Sequence, residues 1–297
     1  MVGGVPRRPP LRSLALTCSV VLATAACGGA PVAPAATSAV TTTVTTASAT
    51  PPTTTTPPPS PTPATTTTPP AVPTTTTGPV VPAGRVVVLD PGHNGGNAAH
   101  PEEINKPVPA GRGQVKACNT TGTATGAGYP EHAFTWDLAQ RVRALLTARG
   151  VRVVLTRPDD TGVGPCVDRR AAIGNEAAAD AVVSLHADGS TAAGARGFHI
   201  AHSSPPLNAA QGAPSLELAG DLRDALVGAG FPTSTYIGTA GLSPRNDLAG
   251  LNLATRPSAL IECGNMRDPA EAATLSSPDG RQRYAEGIAN GILGFLG

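Results

Sequence analysis

Charge is scarce in this chain, and what there is of it is balanced. Only 14% of the 297 residues are Asp, Glu, Lys or Arg, 21 basic against 20 acidic, for a formal net charge of +1. Aromatic residues make up 3%. Neither half holds a block of basic residues with interleaved aromatics that would track a phosphate backbone, which argues against nucleic acid as a partner. Long hydrophobic runs are missing too. The apolar stretch from Leu14 to Ala26 is too short to span a bilayer as a stable helix. Cysteine is limited to 5 residues, so a cysteine-rich metal cage or a dense disulfide framework is excluded.

What is present at the front places the protein. Arg7, Arg8 and Arg12 precede the Leu14 to Ala26 stretch, the layout of an export signal covering residues 1–27. Ala25-Ala26-Cys27-Gly28-Gly29 resembles a lipobox, in which the cysteine is acylated and becomes the new amino terminus. The expectation is an exported chain at the cell envelope, lipid-anchored through Cys27 on the outer face of the cytoplasmic membrane, with simple secretion as the alternative. Residues 28–83 are Thr, Pro, Ala, Val, Ser and Gly without one charged residue, and such a segment cannot bury enough apolar surface to fold. At ~3.1 Å per residue in polyproline II, it reaches at most on the order of 150 Å from an anchor.

Residues 84–297 are enough for one α/β domain with a single core. Apolar runs suggest strands at 85–90, 151–156, 180–186, 196–201 and 258–263, with weaker ones at 235–238 and 250–253. Helical rhythm covers 131–149, 166–179, 215–229 and 281–296. Strands alternating with helices argue for a mostly parallel sheet flanked by helices on both faces.

Three of those strands end on side chains suited to metal or acid–base chemistry. Val86-Val87-Val88-Leu89-Asp90-Pro91-Gly92 leads to His93, Val182-Val183-Ser184-Leu185 to His186, and Ala259-Leu260-Ile261 to Glu262. The carboxyl ends of parallel strands are where α/β sheets build sites. A fourth residue comes from helical geometry. Phe134, Leu138, Val142, Leu145 and Leu146 form an apolar stripe, and Glu131 lies within it one turn before Phe134. A carboxylate facing the core side is costly without a partner. Two histidines and a glutamate with an open fourth position form a common catalytic zinc shell, and Glu262 supplies the general base that such a site needs.

In order along the chain, Leu-Asp-Pro-Gly-His (89 to 93), Glu131 opening a helix that leads to Gly-Val-Arg-Val-Val-Leu-Thr-Arg (150 to 157), Asp-Arg-Arg-Ala-Ala-Ile-Gly-Asn (168 to 175), Ser-Leu-His-Ala-Asp (184 to 188) and Ile-Glu-Cys-Gly-Asn (261 to 265) resemble the zinc-dependent N-acetylmuramoyl-L-alanine amidases. The resemblance runs from about Arg85 to the carboxyl end. It implies a mixed sheet of about six strands and one Zn2+ per chain on His93, Glu131 and His186, with Glu262 as catalytic glutamate. It also implies cleavage of the amide between N-acetylmuramic acid and the L-alanine of the peptidoglycan stem. Arg157 and Arg169 match arginines of the family pattern, and are expected either to hold stem-peptide carboxylates or to pair with Asp159 or Asp168. Asp90 either accepts from a ligand histidine's other ring nitrogen or braces the Pro-Gly turn.

Cysteine usage completes the picture. Cys18 leaves with the signal and Cys27 is assigned to lipid, so Cys118, Cys166 and Cys263 remain. Cys118 and Cys166 are expected to pair, and Cys263, alternating with Glu262 along a strand, to be a small buried thiol. The long segment 94–128 leaves the site at His93 and returns at Glu131, and is expected to form one wall of a substrate groove. His100, His132, His199 and His202 are read as non-ligands. Three other classes compete with the amidase: a wall-binding module without turnover, a zinc carboxypeptidase or endopeptidase on the stem peptide, and a structural metal site. The chain is expected to act as a monomer on peptidoglycan or its muropeptides.

Overall fold

The computed structural model describes residues 84–297; the export signal, Cys27 and the threonine- and proline-rich segment lie outside the described residues. The chain order is β1 (Val86–Pro91), α1 (Pro101–Ile104), β2 (Pro107–Pro109), β3 (Val115–Ala117), α2 (Glu131–Thr147), β4 (Arg152–Leu155), α3 (Val167–Glu176), β5 (Ala181–Asp188), β6 (His199–Ser203), α4 (Ala213–Gly228), β7 (Leu242–Arg245), α5 (Ala249–Asn252), β8 (Ser258–Asn265), α6 (Pro269–Ser276) and α7 (Pro278–Leu296). Six strands form one mixed sheet in the order β4-β1-β5-β8-β6-β7. β4, β1, β5 and β8 are parallel, and β6 and β7 run the other way. No helix of the described residues is long and apolar enough to cross a membrane.

Helices cover both faces of the sheet, but in β5 and β8 one face is fully buried and the other only half-buried. Val87, Leu89, Val183, Leu185, Ile261 and Cys263 alternate onto the face covered by α2, α4 and α7, where they meet Phe134, Leu138, Leu222 and Ile288 in one core. Each such large side chain is worth ~1.5–3 kcal/mol of transfer free energy. Cys263 is a free, buried thiol on this face. The opposite face carries Asp90, Val182, Ser184, His186, Leu260 and Glu262. It is covered by the shorter α3 and α5, which leave a cavity between them.

Two expectations are corrected. No strand forms at 235–238; the edge strand β7 comes later, at Leu242–Arg245. Residues 250–253 fall not in a strand but at the one-turn helix α5, which buries Ala249 and Leu251. A short apolar run does not by itself distinguish the two states. Helix α6 is additional, started by Asp268, whose carboxylate accepts from the Ala270 and Glu271 amides, with Pro269 at the first helical position.

Segment 94–128 is not a bare loop. It contains α1 and the antiparallel β2–β3 hairpin, and Cys118 within it is disulfide-bonded to Cys166 at the start of α3. The bridge and the Val167 amide, which donates to the Cys118 carbonyl at 2.8 Å, tie the hairpin to α3. Lys116, Ala117, Asn119 and Thr120 thereby become one side of the cavity.

Candidate active site

The cavity, about 420 Å³, opens where the parallel strands end, and His93, His186 and Glu262 line it. The turn after β1 brings His93 there at a price in backbone strain, since this non-glycine residue sits at φ +60. Gly92 has to be glycine: a Cβ there would lie 2.2 Å from the His186 ring. Gly122, at φ +75, allows a second close approach, since its Cβ would meet Glu131 Oε2 and His93 Cδ2 at 2.8 Å. At these two glycines the backbone closes directly on the site.

Glu131 opens α2 with its side chain 5% exposed, and both its oxygens are used. Oε1 accepts from His186 Nδ1 at 2.9 Å and from the Ala187 amide at 3.1 Å. Oε2 lies 3.1 Å from His93 Nε2 and accepts from the Thr123 amide at 2.9 Å. Burial opposes its ionisation, but the charge of His93 and the hydrogen bonds from both histidines hold the carboxyl well below the usual range. Burial alone would lower His93; the Glu131 carboxylate beside it raises it instead. One ligand atom from each of His93, Glu131 and His186 lies within 4.8 Å of the other two. This His, Glu, His donor set, with an open side facing the cavity, fits a catalytic divalent zinc.

Glu262 lies directly opposite His186 across the β5–β8 pair. Its Oε2 is buried without a hydrogen-bond partner among the described residues. Burial, then the charges of Glu131 and Asp188, raise its pKa well above the ordinary value against the pull of Arg245.

Three other expected residues stand elsewhere. Asp90 touches neither histidine: its oxygens accept from Thr156 Oγ1 at 2.6 Å, Arg170 Nη1 at 2.8 Å and Ser184 Oγ at 2.7 Å. Burial works against it, but Arg170 and these hydrogen bonds lower its pKa to about 2. The acceptor for the second nitrogen of His93 is instead the Thr120 carbonyl, 3.0 Å from Nδ1. An Nδ1 proton donated to Thr120 would leave Nε2, which faces Glu131, to offer its lone pair to a metal in the neutral ring.

Arg157 does not line the cavity. Its side chain is fully buried, donating to the carbonyls of Pro91, His132 and Asp159 and to Asp160, with its guanidinium 4.9 Å from the Trp136 ring. Arg169 pairs with neither Asp159 nor Asp168; it meets Glu176 on the exposed side of α3, away from the cavity.

The residue that sequence reasoning missed is their neighbour Arg170. It is 4% exposed, lines the cavity, and donates to Asp90, to the carbonyls of Pro91 and Pro165, and to the His93 carbonyl at 2.8 Å. It holds the strained His93 turn. The signal was available, because Arg170 falls on the buried stripe of α3 with Ala171 and Gly174. His132 pairs with Asp160 at 2.7 Å, and His199, at the start of β6, is buried beside the site.

Comparison with known proteins agrees with this geometry. Residues 87–294 match the Amidase_3 family, described as N-acetylmuramoyl-L-alanine amidase. An N-acetylmuramoyl-L-alanine amidase of Mycobacterium tuberculosis is 53% identical over 214 residues, covering 72% of this chain and 87% of that protein. The crystal structure of the N-acetylmuramyl-L-alanine amidase Ami1 from Mycobacterium smegmatis superposes with a TM-score of 0.70 at 56% identity, covering 72% of this chain and 97% of the other. The apo form of Ami1 from Mycobacterium abscessus gives 0.70 at 53%, covering 72% and 100%. With its fold and most of its length matched, the chain belongs to the Amidase_3 family of N-acetylmuramoyl-L-alanine amidases.

Proposed function

We propose that this chain hydrolyses the amide between the lactyl group of N-acetylmuramic acid and the L-alanine of a peptidoglycan stem, using one Zn2+ held by His93, Glu131 and His186. The observation that carries the reading is the meeting, in one cavity, of three donor atoms within 4.8 Å of one another with the unpartnered buried carboxylate of Glu262. Zinc supplies Lewis-acid chemistry at such a site, polarising a carbonyl and lowering the pKa of water.

The chain's own residues do the rest. Glu262 takes the proton from the attacking water and delivers it to the departing alanine nitrogen. It lines the same cavity as His93 and His186 and lies opposite His186, which places it for that transfer. Thr120 fixes the tautomer of His93, and Arg170 fixes the turn that presents it. The apolar floor of Val182, Leu260 and Leu251 excludes water from the bound stem. Export, with Cys27 as a lipid anchor, would place the domain at its polymer.

The test is mass spectrometry of a defined muramyl peptide incubated with residues 84–297, with and without a chelator and beside Glu262→Gln. Release of a peptide beginning with L-alanine, lost on chelation and in the variant, is expected. Cleavage at another bond would make the protein a stem-peptide peptidase, and binding without cleavage would make it a recognition module.

A further inference from the structure

Because β6 runs against β8, its first residue comes to the same end of the sheet as the last residues of the parallel strands. The register pairs Glu262 with His186 of β5 on one side and with His199 of β6 on the other. The next pair along, Ile200 with Ile261, lies in the apolar core under α4. Alternation therefore sends His199 and Glu262 together to the cavity face. His186, Glu262 and His199 form one row across three strands, and facing Cβ atoms in such pairs are roughly 4.5–5.5 Å apart.

Two atoms of this row have no hydrogen-bond partner among the described residues: Oε2 of Glu262 and Nδ1 of His199. Buried polar atoms are rarely left so, and two on directly facing positions call for one explanation. His199 is 2% exposed and firmly seated. Its ring meets that of Tyr236 edge-on, with centroids 6.5 Å apart, and the Tyr236 hydroxyl donates to Asp188 at 2.7 Å. Burial draws His199 down to about 4, so at neutral pH it is an uncharged imidazole with one N–H to give.

We propose that His199 is a positioning residue for Glu262, donating its Nδ1 proton to Oε2 and so fixing the carboxylate with the other oxygen turned to the reacting water. This rests on the reading of Glu262 as the proton-transfer group. A neutral donor suits the task because Oε2 remains an acceptor whether the opposite oxygen is ionised or carries the transferred proton. Hydrogen bonds of this kind are often open in a resting enzyme and tighten once substrate is bound.

The experiment is steady-state kinetics of the zinc-loaded protein on a muramyl dipeptide for His199→Leu and His199→Asn, with Glu262→Gln in the same assay and zinc content measured for each. The leucine variant is expected to lose about 10- to 100-fold in kcat, the scale of a misplaced catalytic group, with KM and zinc content unchanged. Asparagine, whose amide N–H reaches close to the place of Nδ1, is expected to restore most of the rate. Should the leucine variant not fold, His199→Gln takes its place, since the extra methylene moves the donor away.

Wild-type kcat in the leucine or glutamine variant overturns the proposal. So does equal loss in the asparagine and leucine variants, or loss that follows zinc content, either of which would mark a merely structural histidine. Full turnover in Glu262→Gln would overturn the prior reading of the base instead.

Discussion

The two faces of the same sheet are built from alternate residues of the same strands, yet they do opposite things. On one face Val87, Leu89, Val183, Leu185 and Ile261 disappear into a sealed apolar core with α2, α4 and α7. On the other, Asp90, Ser184, His186 and Glu262 look into a cavity that short α3, short α5 and the β2–β3 hairpin only partly fill. The first face is almost wholly apolar side chain against apolar side chain. The second holds a non-glycine residue at positive φ, a carboxyl raised by burial and like charges, and buried polar atoms without partners. Stability and chemistry are separated here by a period of two along each strand.

That separation predicts opposite responses to substitution. Glu262→Gln keeps the shape of the side chain and removes a charge that its surroundings oppose. It is expected to lower kcat by roughly 10²–10⁴, the usual worth of a general base, while the melting temperature stays level or rises. Phe134→Ala, on the sealed face and fully buried, is expected to remove about 3–5 kcal/mol of stability, while the protein still folded at low temperature keeps its kcat. Thermal melts and kinetics on both variants check the pair. A strongly destabilised Glu262→Gln would break the comparison.

Arg170→Met tests the junction of the two roles. It leaves Asp90 buried without its cation, for which about 3–5 kcal/mol of destabilisation is expected at neutral pH, together with slower turnover as the His93 turn loosens. The pH dependence has a definite sign. Asp90 titrates near 2 in the folded protein against 3.8 ordinarily, so its contribution is full above about 4 and fades as pH falls through 2. Chemical denaturation of wild type and variant should therefore converge between those values. A gap that stays constant to pH 2 would detach Asp90 from the effect.

How much of this is legible in the sequence follows from what each feature needs. His93, His186 and Glu262 announce themselves because each ends an apolar run, and Glu131 because it interrupts a helical stripe. The same stripe argument applied to α3 selects Arg170, which lies on the face of Ala171 and Gly174. Family pattern instead points to Arg157, which packs beneath the site, and to Arg169, which pairs with Glu176 on the exposed side of α3. His199 was not legible. Its nearness to Glu262 depends on β6 running antiparallel, and strand direction is a property of the whole topology rather than of any local pattern. Likewise, helix α5 and the edge strand β7 are short enough that tertiary context, not propensity, decides their state.

The hairpin wall ranks next in expected effect. The Cys118–Cys166 bridge closes a sequence separation of 48 residues and fixes the cavity side that carries Lys116, Asn119 and Thr120. Reduction, or Cys118→Ala with Cys166→Ala, is expected to cost about 2–4 kcal/mol, read as a lower midpoint in denaturant. Because Thr120 orients His93, zinc affinity should weaken in step. Unchanged stability and activity after reduction would make the hairpin an ornament on the fold.

The smallest effect expected is none at all, and it is the sharpest statement about α3. Arg169 and Arg170 are adjacent, chemically identical and both beside carboxylates, but a step of 100° around the helix puts one in water and the other under the site. An exposed pair such as Arg169 with Glu176 gains little from its charges, because water screens them and two long side chains must be held still. Arg169→Ala should leave the melting temperature, KM and kcat at their wild-type values, with stem peptides carrying free or amidated carboxylates alike. A rise in KM confined to the free carboxylate would restore this arginine to the substrate and place the stem across the outer edge of α3, beyond the cavity that Arg170 lines.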